Sequence, residues 1–99
     1  MSATFDDLRV LKSADSIGAN IAESFGRYNF GEKLQFLYYS RGSLFETKYW
    51  LNRIQIRGLM NSNEVREYVN GLTALARQLN TFASGLKTVR AEQPKKGSG

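Results

Sequence analysis

The chain has 99 residues, an apolar fraction of 41%, and 14 Lys plus Arg against 9 Asp plus Glu, which gives a formal net charge of +5. A chain of this length is one domain with a modest core, and small cores often gain stability from self-association. Cysteine and histidine are both absent, which excludes disulfides, thiolate metal sites and catalysis by an imidazole.

The first predicted helix runs from about residue 4 to residue 25. Ser2 or Thr4 is its expected N-cap, since either side chain accepts a bond from a free backbone N–H. Apolar residues recur at steps of three and four and so form one stripe. The stripe consists of Val10, Ala14, Ile17, Ile21 and Phe25. Gly26 is a helix stop, and a short turn is expected over residues 27–31.

The second predicted helix spans residues 32–57, where Leu37, Leu44 and Leu51 repeat every seven residues. Its other sides are aromatic, with Phe36, Tyr39, Tyr49 and Trp50. A helix that is apolar nearly all round is typical of a central position, or of one that also faces a partner subunit. Gly58 is expected to end it.

The third predicted helix begins after Asn61, which has capping-box spacing with Glu64. Apolar residues then recur at alternating spacings of three and four residues: Val65, Tyr68, Leu72, Leu75, Leu79, Phe82, Leu86 and Val89. Such a seam predicts near-parallel bundle packing. The sequence therefore predicts an all-α, up-down antiparallel helical bundle over residues 1–90, followed by a disordered basic tail over residues 91–99.

Polar residues and glycines interrupt the apolar faces in two runs, over residues 16–23 and 41–46. The polar members are Asn20, Glu23, Arg41, Ser43 and Glu46. Because a buried polar side chain is costly without a partner, we expect a network between helices built on an ion pair from Arg41 to Glu23, which Asn20 and Ser43 complete. Fixing helix register is its expected role, and a ligand or nucleic-acid contact site is the alternative. Gly18 and Gly42 predict tight helix crossings.

These runs, Ser-Ile-Gly-Ala-Asn-Ile-Ala-Glu and Arg-Gly-Ser-Leu-Phe-Glu, resemble the signature of the 23S rRNA intervening-sequence protein family, also called the four-helix-bundle protein family. The family pattern has proline where this chain has Gly18 and glycine where it has Ser24. The resemblance implies association through helix faces into a homo-oligomeric ring, since relatives form pentamers. Members usually carry one further helix before the segment that starts here.

Basic residues outnumber acidic ones in the second predicted helix, and an Arg-aromatic turn precedes it. Rings that stack on bases and cations that meet phosphates are typical of RNA-binding surfaces. The predicted nucleic-acid-binding residues are Arg27, Tyr28, Lys33, Lys48, Arg53 and Arg57. A solvated, slightly positive helix face is the alternative interpretation.

Catalysis is not expected, since no nucleophile with a base, phosphate loop or metal cluster occurs, and no cofactor is predicted. No apolar stretch approaches a membrane span and no signal peptide is present, which favours a cytoplasmic location. The sequence thus predicts a non-catalytic homo-oligomer that associates with RNA. The alternative is a protein-binding scaffold. The resemblance also implies this role, because related bundles serve as accessory proteins of reverse transcriptases.

Overall fold

The computed structural model describes residues 5–92. Three helices follow one another in chain order: α1 (Phe5–Phe25), α2 (Phe30–Ile56) and α3 (Ser62–Glu92). They run up, down and up, and the described residues contain no strand. The predicted all-α, antiparallel architecture is confirmed.

The turn between α1 and α2 is shorter than the sequence predicted. Asn29 is the N-cap of α2, and its side chain accepts a hydrogen bond from the backbone N–H of Glu32 at 3.1 Å. Phe30 and Gly31, which we expected in the turn, therefore belong to the first turn of α2. The predicted caps of α1, Ser2 and Thr4, lie outside the described residues.

Gly58 ends α2 as predicted. Its φ of +69° is left-handed, a conformation that glycine adopts without steric cost. Its N–H donates to the carbonyl of Gln55 at 2.9 Å, and the N–H of Leu59 donates to the carbonyl of Ile54 at 3.0 Å. This pair of bonds is a Schellman motif, which satisfies carbonyls that the helix leaves free.

Asn61 caps α3 as its position predicted, accepting a bond from the N–H of Asn63 at 2.7 Å. The helix then continues to Glu92, two residues into the segment that we expected to be tail. The rest of that predicted tail, residues 93–99, lies outside the described residues.

Helix α2 is the centre of the molecule, and both other helices pack along it. Leu37 and Leu44 of α2 are buried against Ile17 of α1 and Leu79 and Ala83 of α3. No Cα atom of α1 lies within 8 Å of a Cα atom of α3. The two outer helices therefore flank α2 without backbone contact between them, and a groove is left where their side chains do not meet.

Candidate nucleic-acid interface

Hydroxyl side chains form hydrogen bonds across the contact between α1 and α2. Ser40 is fully buried, and its hydroxyl donates to the carbonyl of Ile17 across the interface at 2.8 Å. Thr47 Oγ1 lies 2.9 Å from Ser13 Oγ, and both residues are buried. Small hydroxyl residues let two helices approach closely while their polar atoms bond each other.

The tight crossing therefore involves serine and threonine, and the prediction that Gly18 and Gly42 form it is wrong. A Cβ atom added at either glycine would meet no atom within 4 Å. Both glycines are exposed, on sides of their helices that face away from the α1–α2 contact.

The predicted ion pair between Arg41 and Glu23 is also wrong. Glu23 binds Arg27 one turn along the chain, at 2.9 Å and near the surface. Arg41 Nη1 donates instead to Asn80 Oδ1 of α3 at 2.9 Å. The physical reason is rotation: Arg41 follows the α1-facing Ser40 by one residue, and one residue turns the helix by about 100°, toward α3.

The other members of the predicted polar network divide between two places. Asn20 Nδ2 donates to the carbonyl and to Oγ of Ser16 within α1, and Ser43 Oγ lies 2.9 Å from the same Ser16 Oγ. Glu46 is exposed and accepts a bond from Trp50 Nε1 at 3.3 Å on the outer side of α2. Asn20 and Ser43 therefore do join the two helices, through a serine that the sequence analysis did not select.

The six predicted nucleic-acid-binding residues do not form one surface. Arg27 and Tyr28 precede α2 while Arg57 follows it, so the 27 residues of the helix separate them by about 40 Å. Arg27 is engaged by Glu23, and Arg57 Nε lies 3.2 Å from Asp6 Oδ2. Carboxylates thus neutralise two of the six cations.

The remaining members have separate environments. Lys33 Nζ donates to the carbonyl of Ser24 at the end of α1, where a cation complements the helix dipole. Lys48 lies 5.7 Å from the ring centre of Phe45, and Arg53 is half-buried in the last turn of α2. Lys48 lies on the same side of α2 as Arg41, two turns away.

A different set of cations does come together, along the outer side of the contact between α2 and α3. Arg41 of α2 and Lys87 of α3 both lie over the ring of Tyr38, at 4.8 and 5.4 Å from its centre. Lys48 is two turns from Arg41 on the same side of α2. We call Arg41, Lys48 and Lys87, with Tyr38, the α2–α3 basic flank.

Carboxylates are kept away from this flank. Glu32 and Glu46, the acidic residues of α2, lie roughly 140–180° around the helix from Arg41. On α3, Glu64 and Glu67 lie on the side opposite Lys87. The ion pairs of residues 5–92 engage Arg27 and Arg57 and none of the three flank cations. The flank is therefore a strip of uncompensated positive charge.

The sequence-based prediction did not include Lys87 or the role of Tyr38. A signal for Lys87 existed, since the apolar seam of α3 fixes its α2-facing side and Lys87 lies beside that seam. Helix periodicity could not predict that Arg41 and Lys87 meet at the ring of Tyr38, because it does not define the axial offset between two helices.

A second surface lies between α1 and α3. It is a groove of about 520 Å³ with walls that include Leu11 and Ala14 of α1 and Tyr68 and Gly71 of α3, and Leu51 of α2 forms part of its floor. Leu11 and Tyr68 are each 59% exposed. Three of the eight residues of the α3 seam, Tyr68, Phe82 and Val89, are thus exposed rather than packed in a bundle core.

The described part of the chain contains neither a candidate metal site nor a helix able to span a membrane. Residues 5–92 hold no group of three or more Asp, Glu, His or Cys residues that could bind a metal ion. Within the same range, none of the helices combines the length and apolar character that crossing a membrane requires.

The fold and its two surfaces define a class of protein: a small all-α chain of antiparallel helices with a basic flank and an apolar groove. The family model described as the 23S rRNA-intervening sequence protein matches residues 8–81, and the chain belongs to this family. No curated protein matches the chain.

A solved structure from Bacteroides thetaiotaomicron is similar in fold. It is described as a protein with unknown function from the S23 ribosomal protein family. The similarity has a TM-score of 0.78 at 22% sequence identity and covers 82% of this chain and 75% of that one. Neither the family nor this relative indicates an enzymatic class.

Proposed function

We propose that this chain is a non-catalytic, RNA-associated protein that contacts the phosphate backbone through the α2–α3 basic flank. The observation that carries the proposal is the placement of Arg41 and Lys87, from two different helices, over the one ring of Tyr38. Cations that a fixed ring orients lose less side-chain freedom on binding than free ones do.

The flank has the dimensions of a backbone contact. Arg41 and Lys48 are about 10 Å apart along α2, and Lys87 of α3 lies over the same ring as Arg41. Cations that meet phosphates release counterions, so such binding weakens steeply with salt and carries little sequence preference. The family description names an intervening sequence of 23S rRNA, which supports an RNA context for the proposal.

The experiment is a fluorescence-anisotropy titration of a labelled RNA hairpin with the full chain over a series of salt concentrations. The double variant Arg41→Gln/Lys87→Gln should bind about tenfold more weakly or worse, with a log–log salt slope smaller by about two. The helix content measured by circular dichroism should be unchanged, because both side chains are at the surface.

The matched control is Lys12→Gln/Arg53→Gln, which removes the same charge from residues outside the flank. We expect its affinity to stay within about twofold of the parent, because distant surface charge contributes weakly at a Debye length of about 10 Å. Equal weakening by both double variants would show that only net charge matters. No binding by the parent chain at low salt would reject the proposal.

Self-association belongs to the same proposal, since copies of the flank would act together and strengthen weak contacts. Tyr39 and Tyr49 remain about half exposed on the outer side of α2, even though Tyr39 contacts Phe36 and Tyr49 contacts Trp50. Exposed aromatic surface of this kind favours an interface. Native mass measurement tests this, and a monomer at all concentrations would contradict it.

A protein-binding scaffold is the second candidate function. The groove between α1 and α3 favours it, because an open apolar surface lined by three elements is suited to another helix. The two functions use different sides of the molecule and do not exclude each other.

A further inference from the structure

The groove between α1 and α3 has the shape of a seat for one helix. It is open between Leu11 and Tyr68, and its walls are residues 10–14 of α1 and 67–75 of α3. The α3 wall is therefore about 12 Å long, a little more than two helical turns. Further along the two helices, Phe25 contacts Phe82, with ring centres 5.8 Å apart.

Gly71 has no side chain, so another helix could approach the α3 wall of the groove closely at this residue. It lines the groove, and a Cβ atom there would meet no atom within 4 Å. A helix-interior glycine costs about 1 kcal/mol relative to alanine. Nothing in the described part of the chain uses the space that this glycine leaves.

The charge around the groove is opposite in sign to that of the whole chain. Glu67 is the one charged residue among those that line it. Glu64 precedes Tyr68 by one turn, and Asp15 follows Leu11 by one turn, so each lies beside the apolar wall on its own helix. All three carboxylates are exposed, and the lining contains no Lys or Arg. A chain of net charge +5 thus has an acidic rim around its apolar groove.

We propose that this groove docks a basic amphipathic helix of another protein. Its apolar stripe would contact the walls between Leu11 and Tyr68, and flanking Lys or Arg residues would meet Glu64 and Glu67 on one rim and Asp15 on the other. Charge complementarity selects this partner over an acidic or neutral helix. The inference is independent of RNA binding, which uses the opposite side of α3.

Three labelled helical peptides of about 18 residues test the proposal with the full chain. All three share one leucine stripe and differ only in its flanking residues, which are Lys, Gln or Glu. We expect the Lys peptide to bind about tenfold more tightly than the Glu peptide at low salt. The chain's net positive charge alone predicts the opposite order, so the two explanations are separated directly.

Variants locate the binding. Gly71→Leu fills the groove from a position with open space around it and should abolish binding of all three peptides. Gly42→Leu, with equally open space on the outer side of α2, should leave binding unchanged. Glu64→Lys/Glu67→Lys should make the Glu peptide the tighter ligand. RNA affinity of the Gly71→Leu variant should equal that of the parent.

Several results would overturn the proposal. Equal affinity for the Lys and Glu peptides would remove the role of the rim, and binding that survives Gly71→Leu would place the peptide elsewhere. A parent chain that is dimeric and becomes monomeric on Gly71→Leu would show that a second copy occupies the groove. If only small apolar molecules bind there, the groove is a ligand pocket and not a helix seat.

Discussion

Arg57 Nε lies 3.2 Å from Asp6 Oδ2 and connects the C-cap of α2 to the first turn of α1. The side chain of Asp6 is 1% exposed, whereas that of Arg57 is 50% exposed. A carboxylate in the first turn of a helix is also favoured by the helix dipole. At the other end of the same hairpin, Lys33 binds the carbonyl of Ser24. Two cations that the sequence suggested for RNA thus hold α1 against α2.

Replacing Arg57 by methionine should lower the free energy of unfolding by about 1–3 kcal/mol, because a buried carboxylate loses its charged partner. Urea denaturation followed by Trp50 fluorescence measures the change. Arg53→Met, in the preceding turn and without an ion pair among the described residues, is the matched control and should change stability by less than about 0.5 kcal/mol. Equal losses in the two variants would show that the pair contributes nothing.

Glu23→Gln should change the free energy of unfolding by no more than about 0.5 kcal/mol. Its partner Arg27 and Glu23 itself are both well exposed, so solvent screens the pair. Thermal denaturation at low and high salt measures the effect, which should disappear at high salt. A loss as large as that of Arg57→Met would mean that Glu23 has a buried partner after all.

Two serine-to-alanine variants should have opposite effects on stability. Ser40 and Ser24 are both buried, but the Ser40 hydroxyl donates to the carbonyl of Ile17 while Ser24 Oγ has no partner among the described residues. Ser40→Ala should cost about 1 kcal/mol, since a buried hydrogen bond between the two helices is lost. Ser24→Ala should be neutral or stabilising, because it removes an unpaired buried hydroxyl. Chemical denaturation of both variants checks the difference, and a loss of stability in Ser24→Ala would reveal a partner for its hydroxyl.

Gly58→Ala should destabilise the chain by about 1–2 kcal/mol, because a side chain at φ of +69° clashes with the backbone. Gly58→Asn should cost less, since asparagine tolerates the left-handed conformation. Gly42→Ala, in the interior of α2, should instead stabilise by up to about 1 kcal/mol. Melting temperatures of the three variants give the order, and a neutral Gly58→Ala would show that the Schellman turn can rearrange.

Much of the fold was predictable from the sequence because it depends on local rules. The three helices, the stop at Gly58 and the cap at Asn61 follow from periodicity and from the bonds that helix ends require. The resemblance to the 23S rRNA intervening-sequence family, carried by the runs over residues 16–23 and 41–46, was correct. The start of α2 was misplaced because the capping role of Asn29 was not recognised.

The candidate sites were less predictable, for a reason that Arg41 illustrates. Its spacing from Ser40 gives the angle between their side chains, but the helix that each side chain meets depends on packing. We assigned Arg41 to α1, whereas it lies against α3 and shares the ring of Tyr38 with Lys87. Likewise, the seam of α3 predicted a buried core, while Tyr68 is 59% exposed at the edge of the groove.

The sequence by itself determined the three helices, the stop at Gly58, the cap at Asn61 and the family, because hydrophobic period and capping act between residues a few positions apart. Only the tertiary structure decided that positive charge gathers between α2 and α3 and negative charge around the groove. Those surfaces depend on the rotation and axial offset of each helix against its neighbour. Both are set by side-chain packing between residues distant in the chain, such as Ser40 with Ile17 and Arg41 with Asn80.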